Sequence, residues 1–448
     1  MLKLATTFFF LVSSSFSAMA QQSATTAKGE ISNDTVYFTE VERVRHSQFT
    51  LSLNQKATII PYRLTTFAEI RARSDAALAD HERAPNWEFS DEVVKDERED
   101  VQVREAYIDY LGDKWKFKFG IQKIDWIDSI SPGAMGVVTA LDLRHGAFGN
   151  SGNLIEPIGA ALITTKVLSG NLEMLGITHP AVHRLPKGDN AYGYQETVQN
   201  LFPTATVVMT EDQFDSSPAN REYGFRWLLT ESGYDISLFA LNGHERFPAL
   251  AATAIAPGVV QIDRTHPEIV TYGASASTSG DAYVFRSQII YQPKHSLPIT
   301  YASPLQGVER KDGSQEHSRL ALGFDYVESK HFKFYSEALW THVTTDPVSY
   351  YDADSGTKNK KDDYVLTTKF TNESFENVLI GFTASHSMPN KSAIYTPSVE
   401  WTFWESYIFN AGWRRIISLH EDSQYHSLRN ASQAFAGLTY KFSDKALR

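Results

Sequence analysis

The sequence predicts an all-β transmembrane fold: an antiparallel up-and-down β-barrel of about 18 strands, with about 16 as the alternative count. Three observations predict it. Apolar and polar residues alternate along nearly the whole chain, in runs of about ten, the length a tilted strand needs to cross a bilayer. Short polar turns alternate with long polar stretches, as in barrels with turns on one side and loops on the other. The one long apolar run lies at the extreme N-terminus, so a mean hydropathy of −0.31 excludes a bundle of membrane helices but not a barrel.

Composition bounds the function. The chain has 448 residues, of which 42% are hydrophobic and 12% aromatic, too many for disorder. A formal net charge of −11 speaks against a nucleic-acid binder, which needs a basic patch. The absence of cysteine removes disulfides, Cys-ligated zinc, Fe–S clusters and thiol nucleophiles. Length alone suggests about two or three domains, but the alternation runs from about residue 34 to 442, which reads as one barrel.

In chain order, residues 1–20 read as a secretory signal peptide. Lys3 is the charged start, Leu4 to Val12 the apolar core, and Ala18-Met19-Ala20 a small-x-small cleavage site. Residues 21–33 read as a short periplasmic leader and 34–448 as the barrel. Candidate strands lie near 34–44, 47–57, 61–73, 100–111, 115–125, 157–168, 171–179, 221–230, 233–242, 267–277, 281–291, 317–327, 330–342, 362–371, 375–387, 391–403, 405–417 and 432–442. Trp115-Lys116-Phe117-Lys118-Phe119-Gly120-Ile121-Gln122 shows the pattern without a break. Gly112-Asp113, Glu231-Ser232-Gly233 and Ser279-Gly280-Asp281 are turns of hairpin length.

The face opposite the apolar one should line a water-filled lumen. The channel-lining candidates are Arg63, Glu69, Arg71, Glu105, Asp109, Lys116, Lys118, Gln122, Arg226, Arg286, Arg319, Asp325, Lys333, Glu337, Lys369, Glu400 and Arg414. With Glu222 and Asp235 also expected on this face, bases slightly outnumber acids, which admits two readings: a basic track favouring anions, or cross-strand ion pairs that fill the wall. The surplus acid lies in the loops, above all in 75–100, a block that reads as a solvated loop. Asp352-Ala353-Asp354-Ser355-Gly356 superficially matches a calcium loop but lacks its distant Glu, so no metal site is expected. The connection from Trp126 to Pro157 is too apolar for an ordinary loop. It either folds into the lumen as a constriction, with Asp128, Asp142 and Arg144 as its candidate residues, or packs over the rim.

The stretch near 100–195 resembles a known family. It contains Arg104-Glu105-Ala106-Tyr107, Gly120-Ile121-Gln122 running to Trp126, Leu141-Asp142-Leu143-Arg144, and Arg184-Leu185-Pro186-Lys187-Gly188. In this order they resemble a proteobacterial outer-membrane β-barrel family carried as a domain of unknown function. Its usual Trp-Gly is Trp126-Ile127 here, its Asn-Pro before Asp-x-Arg is Thr139-Ala140, and Phe119 stands where an Arg is common. The resemblance implies a porin-like barrel and carries no activity with it. Alginate-export and specific porin barrels are more distantly similar in architecture.

Enzymatic chemistry finds no constellation. His386 and Ser387 are adjacent on a strand, so they point to opposite faces. No Gly-x-Ser-x-Gly elbow occurs, and none of the 14 histidines has His-Glu-x-x-His spacing. The expectation is a non-enzymatic outer-membrane channel without cofactor, passing small polar or anionic solutes. Alternatives are a transport barrel for amphipathic or hydrophobic molecules or polysaccharide working with periplasmic partners, and a closed structural or adhesive barrel. Expected partners are outer-membrane lipid and lipopolysaccharide, the barrel-assembly machinery and, in one version, two further copies in a homotrimer; no nucleic acid is expected.

Overall fold

A computed structural model describes residues 25–39, 43–76, 99–126, 129, 135–144, 154–184, 206–210, 214, 220–296, 314–328, 331–344, 362–388, 392–418 and 432–443. The proposed signal peptide and Asp352–Gly356 lie outside the described residues. The strands are β1 Thr25–Phe38, β2 Arg43–Ile60, β3 Leu64–Asp75, β4 Glu99–Leu111, β5 Trp115–Gln122, β6 Ala140–Leu141, β7 Ile155–Glu156, β8 Ile158–Val167, β9 Gly170–His179, β10 Thr206–Met209, β11 Glu222–Glu231 and β12 Tyr234–His244. They continue as β13 Ala249–Ala256, β14 Val259–Thr265, β15 Glu268–Ser279, β16 Tyr283–Ser296, β17 Ser314–Val327, β18 Phe332–Val343, β19 Asp362–Phe375, β20 Val378–Ser387, β21 Ser392–Phe403, β22 Tyr407–Ser418 and β23 Gln433–Ser443.

Eighteen of these form one sheet. Each pairs antiparallel with its neighbour in sequence among the sheet strands, and β23 pairs with β1 from Gln433↔Phe38 to Ser443↔Lys28, which closes the barrel and leaves no free edge. The count is therefore 18 and not 16. The candidate strands match the wall within a few residues, with one correction. β1 begins at Thr25, so residues 25–33 are wall and not leader. Their polar sequence, Thr25-Thr26-Ala27-Lys28-Gly29-Glu30, hides the alternation that the later strands show.

Eight turns of two to four residues fall at the end where β1 begins and β23 ends, while the links 39–42 and 388–391, also short, lie at the other end. The turn between β21 and β22 is one of the eight: Trp404 and Glu405 both take positive φ, at 48° and 59°. The long connections fall at the other end, where β13, β14 and β10 form a small separate sheet. Apolar side chains point outward along the wall, as with Trp115, Phe117, Phe119 and Ile121 of β5, all exposed. Aromatic rings gather at the short-turn end, where Trp401, Phe403, Trp404, Tyr407, Tyr440 and Phe442 touch in series.

A bulge in β4 shapes the inner face. Glu69 pairs with Glu105 but Ile70 with Val103, so Arg104 and Glu105 both turn inward. Opposite it, Gly120 of β5 has φ +131°, and a Cβ there would run into the Ala106 carbonyl, so only glycine fits.

Candidate functional site

The connection after β5 enters the barrel. Along 122–126 the alternation of the strand continues: Gln122, Ile124 and Trp126 are buried, while Lys123 is half-buried and Asp125 exposed. Gln122 Nε2 donates to the Ala160 carbonyl at 2.9 Å, and Thr139 Oγ1 returns to the Ile124 carbonyl at 2.9 Å. Trp126 packs on Phe239 of β12 with ring centres 5.9 Å apart, and its carbonyl accepts from Arg226 Nη1 of β11 at 3.1 Å. Ser129 Oγ then donates to Glu337 Oε1 of β18 at 2.7 Å. β18 is eight strands from β5 one way round the barrel and ten the other, so the described residues 122–126 and Ser129 mark a chord across the lumen.

The chord divides the lumen. On one side an apolar core fills the space: Ile124, Trp126, Met135, Val137 and Val138 pack against Ile158, Ala160, Leu175, Ile177, Phe239, Leu241, Ile290 and Ala321 of the wall. These wall positions lie on the inner face, where polar residues are expected. On the other side, Lys28, Lys56, Lys369, Glu400 and Lys441 project from the inner face and remain solvent-exposed. Lys123 and Asp125 face this side from the chord.

An ionic clasp holds the returning chain at the long-loop end. Asp142 is 3% exposed and binds Arg144 Nε at 2.9 Å, Arg144 Nη2 at 2.8 Å and Arg73 Nη2 at 3.0 Å. Asp100 accepts from Arg73 at 2.5 Å and from Arg144 at 3.1 Å. Glu156 lies 3.7 Å from Arg104 and 3.9 Å from Arg184, and Arg104 Nη2 donates to the Ile155 carbonyl. Burial opposes the charge on Arg144, but the hydrogen bonds and charges of Asp142 and Asp100 outweigh it and raise its pKa above the ordinary value. His183 is buried beside Phe247, and its Nδ1 accepts from the Leu141 amide at 2.9 Å. Burial, then the nearby Arg246 and His266, push its pKa down to about 3.

The sequence candidates divide into several groups. Arg63 is in the short turn, paired with Asp113 and exposed, so it lies at the rim and not in the lumen. Arg71 is buried and donates to Gln102 at 2.7 Å. Glu69 pairs with Lys123, Asp109 with Lys116, Arg226 with Glu173, and Arg286 with Asp325 through two 2.7 Å bonds. Glu105 accepts from the Lys123 amide, Lys118 lies 3.8 Å from the Tyr107 ring centre, and Arg414 is buried over Phe435. Arg319 and Lys333 share the inner face with Glu337 and Lys369. Of the loop candidates, Asp142 and Arg144 meet in the clasp, and Asp128 lies outside the described residues. The acidic block at 75–100 needs correction at both ends: Asp75 is fully buried and accepts from the Ser47 amide, and Asp100 is in the clasp. Sequence reasoning missed Arg73, Asp100, Glu156 and Ser129 as partners, because each lies in ordinary polar sequence and gains meaning only through the bulge and the chord.

A family model, described as "Protein of unknown function (DUF1302)", matches residues 25–403. The chain belongs to the DUF1302 family. No curated protein matches it. Among solved structures it is similar to Acinetobacter baumannii OccAB1, with TM-score 0.54, 7% identity, and 95% of this chain and 97% of that one covered. OccAB4 of the same organism gives TM-score 0.52 and 9% identity over 94% and 98%. The outer membrane protein opdK from Pseudomonas aeruginosa gives 0.51 and 7% over 94% and 99%. At such identities the likeness shows the fold, a closed barrel of the outer-membrane type. The four segments that carried the family resemblance come together in this DUF1302 chain: Glu105 meets Lys123, Gln122 starts the chord, and Asp142, Arg144 and Arg184 join the clasp.

Proposed function

We propose that this chain is a porin-like channel of a Gram-negative outer membrane that passes small polar solutes passively through the half of the lumen left open beside the chord. One observation supports the reading: beside the inward-folded segment, Lys28, Lys56, Lys369, Glu400 and Lys441 on the inner face are solvent-exposed among the described residues. A closed structural barrel would need no such segment pinned to opposite walls, and a path for hydrophobic molecules would leave the apolar inner face accessible, whereas here Trp126, Met135 and Val138 cover it. An outward apolar face with aromatic rings gathered at the short-turn end suits a bilayer of about 25 Å apolar height. The preference for anions is the weaker version, because most inward arginines are committed to carboxylates.

Planar-bilayer recording of the purified full chain tests the proposal. Discrete steps of conductance, with liposome swelling that falls as sugar size rises, are expected. A silent bilayer with correctly folded protein would overturn the channel reading.

A further inference from the structure

We infer that a groove on the lipid-facing wall is a lipopolysaccharide site, taking one acyl chain of that lipid and meeting its phosphate through Lys294. This rests on the outer-membrane placement above and not on conduction.

The groove lies on the outside of β11, β12, β15 and β16, holds about 430 Å³ and is lined by aliphatic and aromatic residues. The register builds it. Phe225, Ala240, Tyr272 and Tyr291 form one row across the four strands, and Trp227, Leu238, Ala274 and Ile289 form the next. Residues opposite each other in a ladder share a face, and Phe225, Tyr272, Leu238 and Ile289 are each about half exposed, so both rows point outward. Ala240 and Ala274 form the floor between a Phe225–Trp227 ridge on β11 and an Ile289–Tyr291 ridge on β16.

Depth names the occupant. Ala240 is six residues from Tyr234 at the short-turn end. At ~3.3 Å per residue and a tilt of about 40°, that is about 15 Å up an apolar band of about 25 Å. With the short turns in the periplasm, the groove opens to the outer leaflet, where lipopolysaccharide tails meet it. A tail gains no hydrophobic energy by leaving other tails. The groove offers it dispersion contacts on three sides in place of one, and a flexible chain follows a floor that the convex wall of a second barrel would bridge. β16 adds the headgroup contact. Its register shift between Gln292 and His295 sets Pro293 and Lys294 against Glu316. Lys294 is exposed, three residues beyond Tyr291, at about the edge of the apolar band. It makes no ion pair among the described residues, and a lysine at that height binds lipid phosphate. Glu268 and Glu316 are exposed on the same rim and suit the divalent cations that lipopolysaccharide phosphates carry.

Native mass spectrometry of the full chain in mild detergent tests the site, with hexa-acylated lipid A as the probe, phosphatidylglycerol as competitor and Mg²⁺ present. One lipid A per chain is expected to saturate ahead of phosphatidylglycerol. Ala274→Phe fills the groove and should cut occupancy about tenfold, and Lys294→Gln should cut it several-fold. Ala338→Phe puts the same ring on the lipid-facing wall of β18, away from the groove, and should leave occupancy unchanged. Heat-modifiable mobility on gels confirms that each variant is folded. Lipid A bound equally by wild type and Ala274→Phe, or matched by phosphatidylglycerol, would overturn the site. So would a dimer that Ala274→Phe abolishes, which gives the groove to a second copy. A silent planar bilayer with the lipid A adduct intact would sink the channel reading alone.

Discussion

Asp142→Ala should release the returning chain from the wall. The Asp142 carboxylate is 3% exposed and serves two guanidiniums, with three side-chain contacts between 2.8 and 3.0 Å. Its removal leaves Arg144, also 3% exposed, with Asp100 at 3.1 Å as its remaining observed acid, and shifts the charge of the clasp by +1. Truncating one member of a buried pair costs about 3–5 kcal/mol, most of it the cost of the charge left behind. At ~1.4 kcal/mol per tenfold, the undocked population should rise by roughly 10²- to nearly 10⁴-fold. Amide hydrogen exchange reads this directly: Val137–Leu141 should exchange faster by that factor, while β12 amides, held by the wall, should not change. Asp142→Asn keeps the shape and should cost less. Arg63→Ala serves as the control, since its pair with Asp113 is exposed and should be worth under about 1 kcal/mol. Unchanged exchange at Val137–Leu141 in Asp142→Ala would refute the idea that the ionic clasp docks this segment.

Three further outcomes are expected. Trp126→Ala opens a cavity beside Phe239 and should lower stability by about 3–5 kcal/mol, read as a lower urea midpoint for refolding in detergent; a shift under a fifth of that would mean the lumenal core is loosely packed. Gly120→Ala puts a Cβ against the Ala106 carbonyl at a positive φ and should cost at least about 1–3 kcal/mol, with loss of heat-stable barrel on gels as the readout. His183, held near pKa 3 when docked, takes up a proton below about pH 6.5 once undocked. The undocked form then binds more protons, so docking is full above about pH 6.5 and weakens as pH falls toward 3. By pH 5 the loss approaches about 2 kcal/mol, and hydrogen exchange at Leu141 should show this slope in wild type and lose it in His183→Gln.

The wall was legible because a lipid-facing strand cannot hide its period: Trp115 to Gln122 alternates without a break, and the strand is there. β1 was placed late because Thr25 to Ser32 offers few large apolar residues to mark a face, and its pairing with β23 comes from closure, which is a property of the whole ring. The inward segment was legible only as a choice between lumen and rim. A signal for the lumen was present but unread: Ile158-Gly159-Ala160, Leu175-Gly176-Ile177 and Phe239-Ala240-Leu241 carry apolar residues on the face where Lys116 and Lys118 sit in β5. Strands apolar on both faces, next to strands apolar on one, announce something that packs inside. The clasp was beyond reach because the β4 bulge decides that Arg104 and Glu105 face the same way, and a one-residue bulge leaves no mark in a period-two pattern.

Charge selectivity follows from where the low dielectric lies. Under the inward segment, guanidiniums cannot remain unpaired at reasonable cost, and the structure pairs them: Arg73 and Arg144 with Asp142, Arg104 with Glu156, Arg226 with Glu173, Arg286 with Asp325. An arginine bound bidentately to a carboxylate offers a passing anion little. Among the described residues, the exposed Lys28, Lys56, Lys369 and Lys441 against Glu400 face the lumen from the inner wall. These lie in water, screened over about 8 Å at physiological salt, and are mixed in sign. The expected behaviour is weak anion preference that fades as salt rises. In a tenfold potassium chloride gradient, the reversal potential should be a small fraction of the ~59 mV limit for one ion species, and it should move toward zero in Lys369→Gln. A value near that limit, of either sign, would mean that buried pairs open to the solute and that the wall as described is not the surface the solute meets.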